Sequence, residues 1–474
     1  MKNILWEPKD YHYQDSNIAK YISYINKNYN KDIIDYDTLY DWSISNIDSF
    51  WESILKFCDI DYSSDYDSVL NNPSSMLNSS WFDGLNLNFA ENLLKFRDNK
   101  IAIEYFYEDK IKGEITYSEL FDKVKSCSSY LKSIGVKKGD RVAAFMPNIP
   151  ETIIGMLATT SLGAIWSSCS PDFGINGVLD RFSQIEPKVL FVTDGYFYKG
   201  KEIDLSLKIK EIIENLKSVK HVICKSIIHS ESLGDYTNWD QIEDSRSEIN
   251  FCQTSFSDPL YIMYSSGTTG KPKSIVHSSG GTLLQHMKEL IIHTDLKRDD
   301  KIFYFTTCGW MMWNWLVSSL AVGATIVLYE GNPFFPNKDS LLKIMDNIDL
   351  TVFGTSAKYI SGLEQNKIKP NKKYSFDRLR SILSTGSPLV EENFDYVYKY
   401  WKEDVQLCSI SGGTDIISCF ALGNPIKPVV KGKLQSIGLG MSVKSFDDYG
   451  NHQVNNKGEL VCDKPFPSMP IYFK

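Results

Sequence analysis

PLYIMYSSGTTGKPK, residues 259–273, begins as an apolar run and passes without a break into hydroxyls, glycines and lysines. The first part, through Tyr264, reads as a buried strand, with Tyr261 and Tyr264 in the core. The second part can bury almost nothing. It is either a solvated loop or a backbone cradle for a strongly anionic ligand such as the phosphates of a nucleotide. A Walker A loop, GxxxxGK[ST], fails twice, because the residue five before Gly270 is Ser265 and Lys271 is followed by Pro272. Proline supplies no N–H and restricts Lys271 to extended backbone. What remains is Ser265, Ser266, Gly267, Thr268, Thr269 and Gly270, with Lys271 and Lys273 beyond. Hydroxyls and amides bind phosphate oxygens in several orientations and glycines allow close approach, yet on composition alone both readings stay open.

The same texture recurs on either side. IAIEYFY (101–107), RVAAFMP (141–147) and KVLFVTD (188–194) alternate with amphipathic helices; in the first, Thr116 is the expected N-cap, with Glu119 completing a capping box and Gly135 ending the helix. The second half supplies KIFYFTT (301–307), TIVLYEG (325–331), TVFGTSAKYI (351–360), RSILSTGSPL (380–389) and VQLCSISGGTD (405–415). Strand then helix, repeated, predicts an α/β fold with parallel sheet. Apolar strands that run straight into Gly, Ser or Thr predict loops converging on one cleft at the carboxyl ends of the strands. After residue 420 the chain is glycine-punctuated and strand-like, which suits a small β subdomain. Residues 1 to about 95 read as an N-terminal extension with helical pieces such as SFWESILKFCDI, and residues 64–80 read as loop.

With 474 residues, 42% of them hydrophobic, the chain has ample material for a large core, and a net charge of −8 gives no general footprint for nucleic acid. The nine cysteines are odd in number, never form CxxC and lie among apolar segments, so they read as buried free thiols of a cytoplasmic protein. The N-terminus carries only three apolar residues before charges return, too few for a signal peptide. Gly309 to Tyr329 is long enough to cross a bilayer, but Asn314, Ser318 and Ser319 interrupt it, and Gly323-Ala324-Thr325 reads as a turn between a buried helix and a short strand. No membrane or nucleic-acid partner is expected, and oligomeric state is left open.

YSSGTTGKPK after an apolar strand resembles the signature loop of the adenylate-forming superfamily, which includes acyl-CoA synthetases, luciferases and peptide-synthetase adenylation domains. Three further stretches match in the right order. TTCGWMMW (306–313) is similar to the family's acyl-pocket motif, STGSPL (384–389) to its adenine-binding loop, and SGGTDI (411–416) to its magnesium and α-phosphate motif. SSWFDGLNLNFAENLL (79–94) resembles the linker of the acetyl- and acetoacetyl-CoA synthetase branch. The resemblance implies a large domain with two parallel-sheet α/β subdomains and a small β-barrel-like subdomain, over residues 99–474, preceded by an extension at 1–98. It places the hydroxyls of 265–269 on the β- and γ-phosphates of ATP, with Gly267 and Gly270 shaping the loop and Lys271 and Lys273 beside it. Gly386, Ser387 and Pro388 would hold adenine, Thr414 the α-phosphate, and Asp415 the Mg²⁺, where most relatives carry glutamate. Trp310 and Met311 would line the acyl pocket, although an aromatic among Met311, Met312, Trp313 and Trp315 also reads as plain core. Gly412 would widen that pocket where acetyl-CoA synthetases carry a capping tryptophan, and Gly413 would belong to the same pocket.

The chemistry so implied is attack of a carboxylate on the α-phosphorus of ATP, giving an acyl-adenylate and pyrophosphate, followed by transfer to CoA. Gly412, Asp415 and CGWMMWNW together match the branch that activates acetoacetate. The hinge, the lysine-bearing C-terminal domain and the ribose-binding aspartate of the superfamily are not in these 474 residues, so weak catalysis by this chain alone is expected. Another short-chain acyl-CoA ligase, or a nucleotide-binding module without activity, stays open beside this reading; a P-loop kinase is disfavoured by Pro272. His277 reads as structural and Arg181 as a helix surface charge.

Overall fold

The computed structural model describes residues 3–229, 234–242, 248–265 and 270–474; Ser266, Gly267, Thr268 and Thr269 lie outside the described residues. Two large sheets dominate. The first runs, edge to edge, Thr237–Asn238, His221–Lys225, Val189–Thr193, Arg141–Phe145, Ile165–Cys169, Pro259–Ser265, Lys273–Ser278 and Tyr472–Phe473. Its strands are parallel as far as Pro259–Ser265, and the last two pairings are antiparallel. The second runs Gln406–Ser409, Ser381–Thr385, Val352–Ser356, Lys301–Tyr304, Thr325–Glu330, Ile101–Tyr107 and Ile111–Thr116, parallel except for its final pair. The expected α/β architecture with two parallel-sheet subdomains is therefore what folds.

Two local expectations are corrected. IAIEYFY does not lead directly to a helix, because Ile111–Thr116 first returns as an antiparallel edge strand. The tight turn has Glu108 at φ 49°, and the alternation of charge in IKGEIT suits an edge with one wet face. Within 64–80, read as loop, Ser68–Asn71 pairs antiparallel with Ser80–Asp83. The stretch after the Ser/Gly/Thr loop is a strand, so Pro259–Ser265 and Lys273–Ser278 form a hairpin with Ser265 opposite Lys273.

Other signals are realised as expected. Thr116 accepts the Glu119 N–H at 3.1 Å while Glu119 accepts the Thr116 N–H at 2.8 Å, and Gly135 takes φ 82° beyond the helix Tyr117–Ser133. Gly309 to Tyr329 becomes a buried helix, Met311–Val317, a tighter turn ending at Gly323 with φ 82°, and the strand Thr325–Glu330. Among the described residues no helix is long and apolar enough to cross a membrane. All nine cysteines are unpaired, seven of them buried.

Between the motifs lies one element that composition disguised. The helix Ser279–Met287 continues into a wider, π-type turn, Lys288–His293, and Gln285, His286, Lys288, Glu289 and His293 are all buried. Beyond residue 410 the chain forms two small antiparallel sheets, Ser411–Gly413 with Ser418–Leu422 and Ser436–Ile437, and Val443–Phe446 with His452–Gln453 and Glu459–Cys462. The N-terminal helices pack onto this region: Ser43 Oγ accepts the Gly440 N–H at 2.9 Å, and the Tyr36 hydroxyl donates to the Ile437 carbonyl.

Candidate active site

Neighbouring parallel strands of the second sheet carry two of the sequence motifs to a common level. Ile410 N–H donates to the Ser384 carbonyl at 2.8 Å and the Thr385 hydroxyl donates to the Ile410 carbonyl at 2.9 Å, so the two loops leave the sheet side by side. Gly386 turns at φ 87°, a left-handed conformation that suits glycine. Together with Gly432–Leu434 the loops enclose a cavity of about 370 Å³ bordered by Gly386, Ser387, Pro388 and Gly412. The structure thus brings the three expected adenine-loop residues and Gly412 to one space. Trp310 stands behind the Gly386 turn: a Cβ on Gly386 would lie 3.6 Å from the Trp310 ring, which stands edge-on to Tyr304 at 5.9 Å. Trp310 is half-buried and Met311 buried, so the ring serves as core on one side and borders the Gly386 loop on the other.

Gly412 has a second reason to be glycine. A Cβ there would meet the Ser418 carbonyl oxygen at 2.1 Å and Cys419 Cα at 2.6 Å, because the strand pairing Gly412↔Cys419 is unusually close. Between these strands Thr414 and Asp415 form a turn, closed by Ile416 N–H to the Gly413 carbonyl (3.3 Å) and Ile417 N–H to the Thr414 carbonyl (3.2 Å). Asp415 is exposed and Thr414 half-buried. Behind the turn, His277 is enclosed against the Thr414 backbone, makes no well-formed hydrogen bond, and is held neutral by burial, its pKa pushed down to about 3.

The turn is held from below by the buried helix. His286 donates from Nε2 to the Ile417 carbonyl at 2.7 Å, leaving Nδ1 to accept from the Ser318 hydroxyl at 2.8 Å. Glu289 Oε1 accepts from the Ser418 hydroxyl (2.5 Å), the Cys419 N–H (3.1 Å) and the Gln285 amide (3.0 Å). Its Oε2 accepts from Trp315 Nε1 at 2.9 Å. Sequence reading missed this cluster, since charged residues in a helix ordinarily face water.

In the first sheet, the hairpin topology removes the Walker reading independently of Pro272: a strand, not a helix N-terminus, follows the loop. Gly270 sits at φ 116°, and among the described residues no atom beyond its chain neighbours lies within 4 Å of where its Cβ would stand. Gln184 anchors the returning strand, donating to the Pro272 carbonyl at 2.9 Å and accepting from the Ser274 hydroxyl at 2.9 Å. Lys271 is exposed, 3.7 Å from Asp180, and Lys273 is exposed at the strand start. Arg181, expected at the surface, instead stacks its guanidinium on Phe173 at 4.5 Å and near Tyr264 at 5.6 Å.

A larger cavity, about 750 Å³, opens where loops of the two sheets meet, with Asp172, Tyr196, Thr307, Glu330, Ser356 and Lys358 on its wall. It adjoins the first, since Ser356 Cβ lies 3.9 Å from a Cβ placed on Gly386. Glu330 accepts the Asn148 N–H at 2.7 Å, and burial raises its pKa to about 7. Glu108 clamps the rim, accepting from the backbone N–H groups of Lys199 (2.7 Å), Gly200 (2.7 Å) and Asn332 (2.9 Å). The signal for Glu330 was present as a lone carboxylate at the end of the apolar run TIVLYE.

With this geometry in place, comparison with known proteins is decisive. The AMP-binding enzyme family matches residues 89–473, and the acetyl-coenzyme A synthetase N-terminus family matches residues 36–93. Acetoacetyl-coenzyme A synthetase of Rhizobium meliloti is 46% identical, over 99% of this chain and 73% of its own. The chain belongs to the acetoacetyl-CoA synthetase family of AMP-binding enzymes. Another member, acetoacetyl-CoA synthetase of Gallus gallus, is 42% identical over 99% of this chain and 72% of its own. The solved acetoacetyl-CoA synthetase of Streptomyces lividans superposes with a TM-score of 0.96 at 38% identity, covering 99% of this chain and 74% of that one. Membership of the acetoacetyl-CoA synthetase family accounts for the two sheets and for the order of the four motifs.

Proposed function

We propose that this protein activates acetoacetate with ATP and transfers it to CoA. The observation that carries the proposal is the cavity bordered by Gly386–Pro388 and Gly412, in a chain that aligns along 99% of its length with relatives named acetoacetyl-CoA synthetase. A carboxylate oxygen attacks the α-phosphorus, the bond from that phosphorus to the bridging oxygen breaks, and pyrophosphate leaves. The CoA sulfur then attacks the acyl carbon, the C–O bond to phosphate breaks, AMP leaves, and the thiol proton passes to solvent. The first step is a matter of positioning and charge neutralisation.

In our reading Gly386, Ser387 and Pro388 receive the adenine, Thr414 donates to the α-phosphate, and Ser265 to Gly270 with Lys271 and Lys273 face the outer phosphates. Asp415 would hold Mg²⁺. An exposed single carboxylate suits that ion, which takes one or two protein oxygens and completes its shell from nucleotide phosphates; among the described residues no group of three His, Cys, Asp or Glu could hold a metal without such help. The ion would neutralise developing charge on the phosphates. Trp310, Met311, Gly412 and Gly413 are read as the acyl side, and the larger cavity as the approach for CoA. Residues 1–98 are taken as the extension and 99–474 as the adenylation domain, and nine unpaired cysteines favour the cytoplasm.

The test is product analysis with the gene expressed in full and a panel of short carboxylates. AMP, pyrophosphate and acetoacetyl-CoA are expected, with acetoacetate the best acid. ADP as product would reject adenylation, and a better acid would reassign the substrate.

A further inference from the structure

One buried carboxylate touches both structural units that border the proposed acyl site and belongs to neither. Glu289 is fully buried, and its two oxygens are divided. Oε2 receives Trp315 Nε1–H at 2.9 Å, from the helix Met311–Val317 whose N-terminal flank is Trp310. Oε1 receives the Ser418 hydroxyl at 2.5 Å and the Cys419 N–H at 3.1 Å, from the strand that pairs with Gly412 and Gly413. Tyr304 relays the first contact, its ring lying edge-on to both Trp315 (6.2 Å) and Trp310 (5.9 Å). A carboxylate is expensive to bury, and four donors plus the adjacent buried Lys288 are what offset the cost. A core that needed only stability would use an apolar residue here. A short, directional tie between two walls is what a carboxylate offers and an apolar residue does not.

We propose that Glu289 is a positioning residue for acyl selectivity, fixing the spacing between the Trp310 helix and the Gly412–Gly413 strand so that a short acid carrying a second carbonyl is preferred over longer ones. This rests on the adenylation reading above. Glu289 touches no substrate; it acts through Trp315 and Ser418.

The test is calorimetric binding to this chain of AMP and of two non-hydrolysable acyl-adenylate analogues, acetoacetyl and hexanoyl. AMP binding reports the adenylation reading, and the difference between the two analogues reports the proposal. Glu289→Gln places an amide against a ring of donors and is expected to cut the acetoacetyl-over-hexanoyl preference about tenfold while AMP affinity stays within about twofold. If that variant does not fold, Trp315→Phe and Ser418→Ala each release one side of the carboxylate. Each is expected to erode the preference, and together they should erode it no more than the larger single change, because one released side already frees the spacing. Additive losses, or loss of AMP and analogue binding in parallel, would overturn the proposal. A wild-type chain that binds neither AMP nor analogue overturns the adenylation reading itself.

Discussion

The carbonyl oxygen of Ser418 lies where a side chain on Gly412 would begin, 2.1 Å from its ideal Cβ. Absence of a side chain at 412 therefore lets two strands approach, at a residue that also borders the cavity beside Gly386. Gly412→Ala should part the strands and lower the stability of the protein by about 2 kcal/mol, as overpacked cores do. Urea unfolding midpoints check this. An unchanged midpoint would show that the approach carries no weight.

Asp415 is exposed beside Gly413, and its carboxylate is the one that the SGGTD turn presents. Asp415→Asn should slow pyrophosphate exchange about 10²- to 10³-fold, the size of losing one preorganised electrostatic contact. It should also raise the Mg²⁺ concentration giving half-maximal exchange. Loss of rate with an unshifted Mg²⁺ titration would take the ion away from this residue.

Much of the fold was legible because apolar strands ending in Gly, Ser or Thr announce both a parallel sheet and its ligand edge; STGSPL and SGGTDI lie at or just beyond the carboxyl ends of the adjacent strands Ser381–Thr385 and Gln406–Ser409. What escaped were features that depend on partners distant in sequence. Ile111–Thr116 is an edge strand whose polar face resembles a loop. Gln285 to His293 has the composition of a solvated helix face, and nothing local says that Ile417, Ser418, Gly423 and Leu439 bring it acceptors and donors from the other end of the chain. Arg181 has the spacing of a surface charge, and only the fold lays Phe173 and Tyr264 against it. Glycine at 412 was legible as space but not as contact, since strand spacing is not written in composition.

Glu108 ties the end of the second sheet to the turn of the hairpin Gly195–Tyr198 and Lys201–Asp204 at the rim of the larger cavity, by accepting three backbone N–H groups. Glu108→Ala removes the acceptor of three partly exposed N–H groups, at about 0.5–1.5 kcal/mol each because water can take its place. The hairpin bearing Tyr196 and Tyr198 should then loosen. We expect the KM for CoA to rise about tenfold while pyrophosphate exchange, which needs no thiol, changes less than about threefold. Equal losses in both assays would place Glu108 in general stability and not at the thiol approach.

His293 supplies the pH dependence. Its Nδ1–H donates to the Gly423 carbonyl at 3.0 Å and its Nε2 accepts the Leu439 N–H at 3.2 Å, an arrangement open only to the neutral ring. Burial, with the Lys288 ammonium beside it, lowers its pKa from 6.5 to about 3; the Tyr36 ring packs edge-on at 6.2 Å. Between those values the unfolded chain binds a proton that the folded protein does not, so stability rises with pH across that window and is flat above it. On acidification from pH 6.5 towards 3, this residue alone should remove about 1.4 kcal/mol per pH unit in the middle of the range. His293→Gln deletes the titration. Its unfolding free energy is expected to start lower at pH 7, through the altered hydrogen bonds, yet to fall less steeply between about pH 4 and 6 by that one-proton slope. Denaturant titrations at half-unit steps of pH decide the matter, and parallel curves for the two proteins would show that His293 charges without cost.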